Sequence, residues 1–89
     1  MNWIESYAAG RKQQWPVPTP EQIRQVRKTA QMTQMQFAVN YGFGLESLRK
    51  WERGRATPEQ TSCMLLLLIK QHPTMVLGML ADLKTKTWP

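Results

Sequence analysis

The chain has 89 residues, 42% of them hydrophobic and 20% charged, which fits one small globular domain and excludes a wholly disordered protein. A domain of this size builds only a marginal core, so a second copy of the chain would add to its stability. Twelve lysines and arginines against six acidic residues give a net charge of +6. This excess favours a polyanionic partner such as nucleic acid, although solubility alone would also explain it.

The sequence contains no set of residues that indicates catalysis. There is no Ser/His/Asp set with supporting sequence context, no metal-ligand cluster and no phosphate-binding glycine loop, so we expect no enzyme, no cofactor and no metal site. The single cysteine, Cys63, is expected to be buried and inert, which fits a reducing cytosol. The longest apolar run, 63–69, is far shorter than the ~20 residues that span a bilayer, and the N-terminus lacks a signal pattern. We therefore expect a cytoplasmic protein with no membrane partner.

Residues 1–18 are predicted to form an arm outside the folded domain. Prolines at 16, 18 and 20 favour an extended linker, because each fixes its own φ and restricts the residue before it. The arm carries large apolar side chains of the kind that anchor protein interfaces, so we expect contacts with a partner there. The alternative is that they fold back on the last helix or on a dimer mate. The residues concerned are Trp3, Ile4, Tyr7 and Trp15.

From residue 19 onward the sequence predicts helices and no strand. Thr19 and Pro20 are typical of a helix start, and an apolar stripe at spacings of three and four follows them. Thr33 and Gln36 form a capping-box pattern for a second helix, which should end at Gly42. The side chains expected to face inward are Ile23, Val26 and Ala30 in the first helix, and Phe37, Ala38 and Tyr41 in the second.

Three more helices are predicted in residues 45–84. The third, 45–53, should bury Leu48 and Trp51. Thr57, Pro58 and Gln60 predict the capped start of a fourth, which is apolar nearly all round and should be buried on more than one side. A proline at 73 ends it, and a fifth helix reaches about residue 84. Its expected inward side chains are Val76, Leu77, Leu80 and Leu83.

The second and third helices are typical of a helix-turn-helix unit, two short helices joined by a tight turn that contains glycine. The pattern Thr33-Gln34-x-x-Phe37-Ala38-x-x-x-Gly42, followed by Leu48-Arg49-x-Trp51-Glu52-x-Gly54-Arg55-x-x-Pro58, resembles the Xre family of regulators over about residues 20–60. The Leu-rich fourth helix and the segment His72-Pro73-Thr74-Met75-Val76-Leu77 resemble, more narrowly, the HigA-like antitoxins of bacterial toxin–antitoxin pairs.

The resemblance implies an all-α fold, a five-helix Xre/lambda-repressor-like helix-turn-helix domain with a short N-terminal arm. Residues 1–18 would be the arm and linker, 19–84 the DNA-binding domain with C-terminal dimerisation helices, and 85–89 a tail. The implied function is a sequence-specific DNA-binding transcriptional repressor, the antitoxin of a type II toxin–antitoxin pair that regulates its own operon. It would act as a homodimer on an inverted-repeat operator of double-stranded DNA, with a RelE-like toxin, in a bacterium or phage. The alternatives are a phage- or plasmid-type Xre regulator without a toxin, and a protein-interaction module.

The third helix would be the recognition helix. With its apolar side against the core, the residues expected to face base edges are Leu45, Glu46, Ser47, Arg49 and Lys50. Arginine and lysine donate to guanine, and glutamate accepts from cytosine. The alternative for Glu46 and Lys50 is an ion pair on a solvated face.

The resemblance also implies roles for residues around the recognition helix. Gln34 resembles a family glutamine that binds a phosphate and braces that helix, and Arg53 and Arg55 would contact phosphates, which position the protein without reading sequence. A solvated pair of arginines is the alternative. Arg27 and Glu52 would form a partly buried structural salt bridge.

Two positions depart from the family pattern. Gln31 stands where glycine often ends the first helix in a left-handed conformation. Gly44 stands where serine or threonine usually caps the recognition helix, so we expect a weaker cap there.

Overall fold

The computed structural model describes residues 4–5 and 14–88. Residues 14–88 form five helices, and no strand occurs in the described residues, so the predicted all-α class is confirmed. The helices are α1 (Pro20–Thr29), α2 (Gln34–Tyr41), α3 (Leu45–Glu52), α4 (Gln60–Gln71) and α5 (Pro73–Leu83). Ile4 and Glu5 are helical, whereas Trp3 and Tyr7 lie outside the described residues.

Local capping determines where α1 and α2 begin. The Thr19 hydroxyl accepts from the Gln22 N–H at 3.1 Å, and the Gln22 side chain accepts from the Thr19 N–H at 2.8 Å. Thr33 and Gln36 make the same reciprocal pair at 3.1 and 2.9 Å. Because these bonds satisfy amides that have no partner within the helix, both helices start where the sequence predicts.

Left-handed residues end the first three helices. Gly42 follows α2 with φ +77°, and Gly54 follows α3 with φ +72°. After α1 the left-handed residue is Gln31, with φ +57°. Its N–H donates to the Lys28 carbonyl at 2.9 Å, and the next N–H, of Met32, donates to an α1 carbonyl at 3.3 Å. Gln31 therefore takes the left-handed conformation expected at the end of the first helix, at a steric cost that a glycine would not have.

The core lies where α1, α2 and α3 meet and continues between α4 and α5. Phe37 is fully buried, and its ring lies 4.9 Å from that of Tyr41 and 5.8 Å from that of Phe43, centroid to centroid. The Phe43 ring meets Trp51 edge-on at 5.5 Å. Trp51 is therefore a core residue, as predicted, and so is Leu48.

The predicted start of α4 is wrong. The helix begins at Gln60 with Glu59 as its N-cap, and among the described residues no side chain caps it. The Gln60 amide is engaged elsewhere, since its Nε2 donates to the Trp15 carbonyl at 3.1 Å and its Oε1 accepts from the Trp15 N–H. A side chain committed to the backbone of residue 15 cannot also close a capping box at residue 57.

The expected burial of α4 on more than one side is wrong for the single chain. Cys63, Leu66 and Ile69 are buried, but Met64 and Leu68 on the other side are 39% and 43% exposed. The outcome for α5 is similar: Val76 is buried and Leu77 and Leu80 are half-buried, whereas Leu83, at the last helical position, is 59% exposed. Among the described residues no single helix is long and apolar enough to cross a membrane. α4 and α5 reach that length and composition only together, and they are bent by 120° where they meet.

Candidate nucleic-acid interface

The surface of α3 that faces away from the core is polar. Leu48 and Trp51 anchor the inner side, and Ala38 of α2 is buried in the same core. Glu46, Ser47 and Lys50 are exposed, and the side chain of Arg49 is 41% exposed. The structure therefore brings four of the five expected base-reading side chains to one accessible surface.

Leu45 differs from the other four. It is half-buried and packs against the hydrophobic core, because it lies in the first turn of α3 on the side of Leu48. The core contact therefore takes part of its side chain away from the surface on which the other four lie.

An ion pair lies on the exposed surface of α3, but it is not the Glu46–Lys50 pair that the sequence offered as an alternative. Glu46 Oε2 is 3.7 Å from Arg49 Nη1, an i,i+3 pair, rather than from Lys50. Both partners are solvated, and pairs of this kind contribute only about 0–1 kcal/mol to stability. Glu46 and Arg49 can therefore separate readily for other partners.

The C-terminal end of α3 is held at Glu52, whose side chain is buried. Arg27 Nε and Nη2 each donate to one Glu52 carboxylate oxygen at 2.8 Å, the two-point geometry that makes an arginine–carboxylate pair strong. Gln34 Nε2 donates to the same carboxylate at 3.1 Å. A third residue, Arg24, donates from Nη1 to the Glu52 backbone carbonyl. Residues of α1 and α2 thus converge on the last residue of α3.

These contacts affect the ionisation of Glu52. Burial by itself would raise the pKa of the Glu52 carboxyl, but hydrogen bonds from Arg27 and Gln34 and the nearby charges of Arg27 and Arg24 lower it further than burial raises it. The net result is a pKa below the ordinary value. The pKa of Arg27 is raised, chiefly by its hydrogen bonds to Glu52. Both groups are therefore held in their charged forms.

The side chain of Gln34 braces α3, and this contact occupies its amide N–H in place of an anion. Its side-chain amide N–H is directed to Glu52, within the protein. What remains at the start of α2 for an anion is the backbone N–H groups of Gln34 and Met35, because the N–H of Gln36 already donates to the Thr33 hydroxyl. The phosphate contact stays a prediction for this residue.

Arg53 and Arg55 flank Gly54 in the turn after α3, and both are exposed. The Gly54 N–H donates to the Trp51 carbonyl at 3.1 Å and the Arg55 N–H to the Lys50 carbonyl at 2.9 Å. A Cβ placed on Gly54 would lie 3.6 Å from Pro20 Cγ, so the turn lies against the start of α1. The two arginines therefore project from a fixed turn.

The arm residues are placed only in part. Ile4 and Trp15 are exposed at 58% and 39%, and Trp15 is tied to α4 through its backbone. Trp3 and Tyr7 lie outside the described residues. In the described part of the chain, no three His, Cys, Asp or Glu side chains come together as a metal site.

Two residues have contacts that the sequence did not predict: Arg24 bonds to Glu52, and Gln60 bonds to the backbone of Trp15. Arg24 lies one helical turn before Arg27 on α1, and this spacing is the one signal that could have associated it with Glu52. The local sequence predicts a capping role for Gln60, and nothing in it indicates the bonds to residue 15.

The packing of α2 on α3, the turn between them and the polar outer surface of α3 define a small helix-turn-helix domain. Residues 5–80 match the family model for the antitoxin component of bacterial toxin–antitoxin systems, MqsA, and the chain belongs to this family. It is also similar to the antitoxin MqsA of Escherichia coli (strain K12), with 32% identity over 57 residues, which cover 64% of this chain and 44% of that protein. The chain thus spans less than half the length of that relative. The expectation of a toxin–antitoxin family is confirmed, while the narrower HigA-like Xre subtype stays a prediction.

Proposed function

We propose that this protein is a non-enzymatic, sequence-specific DNA-binding repressor, and that it acts in the cytoplasm as the antitoxin of a toxin–antitoxin pair. The observation that carries the proposal is the outer surface of α3. Ser47, Arg49 and Lys50 lie there with Glu46, on a helix whose far end is held by the buried Glu52 contacts. A rigid helix with accessible donors and acceptors is what major-groove readout requires.

The charge distribution supports the same function. Arg49, Lys50, Arg53 and Arg55 place four cations within seven consecutive residues, on α3 and the turn after it. Cations that neutralise phosphates release condensed counterions, which drives binding to any duplex. In this proposal Arg53 and Arg55 contact the backbone, while Arg49 and Lys50 reach base edges.

A homodimer is the second part of the proposal. One recognition helix per chain reads only a few base pairs, whereas a two-fold dimer places two such helices ~34 Å apart on an inverted repeat. The apolar side chains left exposed on α4 and α5 supply a surface for a second copy. These are Met64, Leu68, Met75, Met79 and Leu83, here called the α4–α5 apolar surface.

A toxin is the third part. The family match supports a toxin partner, and we propose one of the RelE-like class, held at least in part by the arm. Ile4 and Trp15 offer exposed apolar side chains of the kind that anchor interfaces, and Trp3 and Tyr7 add two more large side chains to the same segment. Toxin contacts made through the arm would leave the outer surface of α3 free for DNA.

The test of DNA binding is a selection from duplexes with a randomised centre, followed by footprinting of the selected sequence. We expect an inverted repeat. Lys50→Ala should weaken binding by about 1–3 kcal/mol and relax the preference at one base position in each half-site. Lys70→Ala, which removes an exposed lysine from α4, is the charge-matched control. An unchanged preference in the Lys50 variant would contradict the proposed readout.

The test of the toxin is co-purification with the product of the neighbouring gene. The full chain and a chain that starts at Thr19 are compared. If the shorter chain still dimerises and binds the selected duplex but captures less toxin, the arm takes part in neutralisation. Equal capture would remove the arm from the proposal, and no capture by either chain would favour a regulator without a toxin.

A further inference from the structure

The C-terminal carbonyls of α3 have partners of two kinds. The carbonyls of Arg49, Lys50 and Trp51 accept N–H groups from the turn that follows, at 2.9–3.1 Å. The last one, of Glu52, accepts a hydrogen bond from the Arg24 guanidinium on α1. The first three bonds are local and only close the helix. The fourth joins α3 to another helix, 28 residues away in the chain.

Arg24 and Arg27 therefore hold the same residue in different ways. Arg27 binds the buried carboxylate of Glu52, and its loss would leave a charge without its partner. Arg24 binds the backbone, so its loss removes a tether from the end of α3 but leaves no buried side chain unpaired. The final carbonyl of a helix has no partner within the helix. A hydrogen bond to it therefore restrains the end of α3, where the helix itself provides the fewest backbone bonds.

We infer that Arg24 is a positioning residue for sequence readout: by binding the Glu52 carbonyl it sets the direction in which α3, and with it Arg49 and Lys50, is presented to base edges. The inference rests on the proposed DNA binding. Base contacts depend on hydrogen-bond geometry at a fixed distance and angle, whereas contacts to phosphates tolerate small rotations of a helix. A change in the direction of α3 therefore affects specific binding more than non-specific binding.

The salt dependence separates this role from a direct phosphate contact. A residue that neutralises a phosphate contributes to the slope of log affinity against log salt, and its removal lowers that slope by about 1. A residue that only positions α3 contributes nothing to the slope. The two roles therefore predict different results for the same loss of charge.

The experiment uses the full chain and measures affinity for the selected duplex and for a scrambled duplex of equal length, over a series of salt concentrations. The variants are Arg24→Met, Arg53→Met as the proposed phosphate contact, and Lys28→Met as an exposed cation elsewhere on α1. For Arg24→Met we expect about tenfold weaker binding to the selected duplex, unchanged binding to the scrambled one and an unchanged slope. Arg53→Met should weaken binding to both duplexes and lower the salt-dependence slope. Lys28→Met should change neither the preference for the selected duplex nor that slope.

Three outcomes would overturn the inference. Equal weakening on both duplexes with a lower slope would make Arg24 a phosphate contact. An unchanged preference in folded Arg24→Met would remove it from positioning. If the wild-type protein selects no sequence at all, the proposed function fails first, and the role of Arg24 in readout falls with it. Thermal melts check folding, and Arg24→Gln replaces the methionine variant if that variant is unfolded at the assay temperature.

Discussion

The two halves of the domain differ in how many of their polar and apolar side chains find partners within the chain. In the half formed by α1, α2 and α3, the buried carboxylate of Glu52 has two side-chain partners, and the aromatic core is closed by Phe37, Phe43 and Trp51. In the half formed by α4 and α5, one side of each helix packs on the core and the other exposes the α4–α5 apolar surface. The first half can present a rigid helix on its own, whereas the second half has a surface suited to a partner.

The largest effect should come from breaking the first half at Arg27. Replacing Arg27 by alanine leaves the buried Glu52 carboxylate without its two-point partner, which should lower the free energy of unfolding by about 3–5 kcal/mol. Arg55→Ala removes an exposed arginine and should leave the melting temperature nearly unchanged, while weakening DNA binding. Thermal melts measure the stability of the two variants, and DNA titrations measure their affinity for the selected duplex. Equal melting temperatures would show that Arg27 is not structural.

Lowering the pH should weaken the Arg27–Glu52 contact gradually, because Glu52 becomes protonated. The pKa of Glu52 is lower in the folded than in the unfolded chain, so its stabilisation is fully present above the ordinary pKa of about 4.5 and is lost as the pH falls through the lower folded value. Urea unfolding between pH 7 and pH 3 measures this loss. Glu52→Gln should flatten the dependence below pH 4.5, and Glu21→Gln, an exposed control on α1, should leave it as it is. A wild-type curve as flat as that of Glu52→Gln would contradict the lowered pKa.

The second half can be tested with a charge on α5. Met79 lies in the middle of the exposed stripe that runs from Met75 to Leu83 at spacings of four residues. A glutamate at position 79 would have to be desolvated in a dimer, so Met79→Glu should weaken dimerisation by about 2 kcal/mol, the size expected for a central interface residue.

Sedimentation over a range of concentrations gives the dimer constant. The control is Met35→Glu, which places the same charge at an exposed methionine of α2. A Met79 variant that dimerises like the wild-type protein would place the interface elsewhere. A monomeric wild-type protein at high micromolar concentration would contradict the proposed dimer.

The smallest effect concerns the turn between α1 and α2. Gln31 has φ +57° and is exposed, and glycine takes this conformation without the clash of a Cβ. Gln31→Gly should therefore stabilise the protein by about 1 kcal/mol. Gln25→Gly, within helical α1, should destabilise it by about the same amount, because glycine is a poor helix former. Urea unfolding gives the free energy of unfolding of the two variants and of the wild-type protein. A destabilised Gln31→Gly would mean that the glutamine side chain stabilises the fold by more than its left-handed backbone destabilises it.

The local parts of the fold were predictable from sequence. The capping boxes at Thr19 and Thr33, the left-handed glycine at 42 and the burial of Leu48 and Trp51 each depend on residues a few positions apart. At such short separations the residue types restrict the backbone directly, through side-chain bonds to nearby amides and through the φ values open to glycine.

Only the tertiary structure decided the remainder. Gln60 binds the backbone of Trp15 across 45 residues, Arg24 reaches Glu52 across 28, and Met64 and Leu68 stay on the exposed side of a helix that is apolar nearly all round. None of these follows from a local pattern. An amide can cap its own helix or bind a distant backbone, and an apolar side chain can meet its own core or remain exposed. The packing of the helices selects between these alternatives, because it determines which groups come within bonding distance.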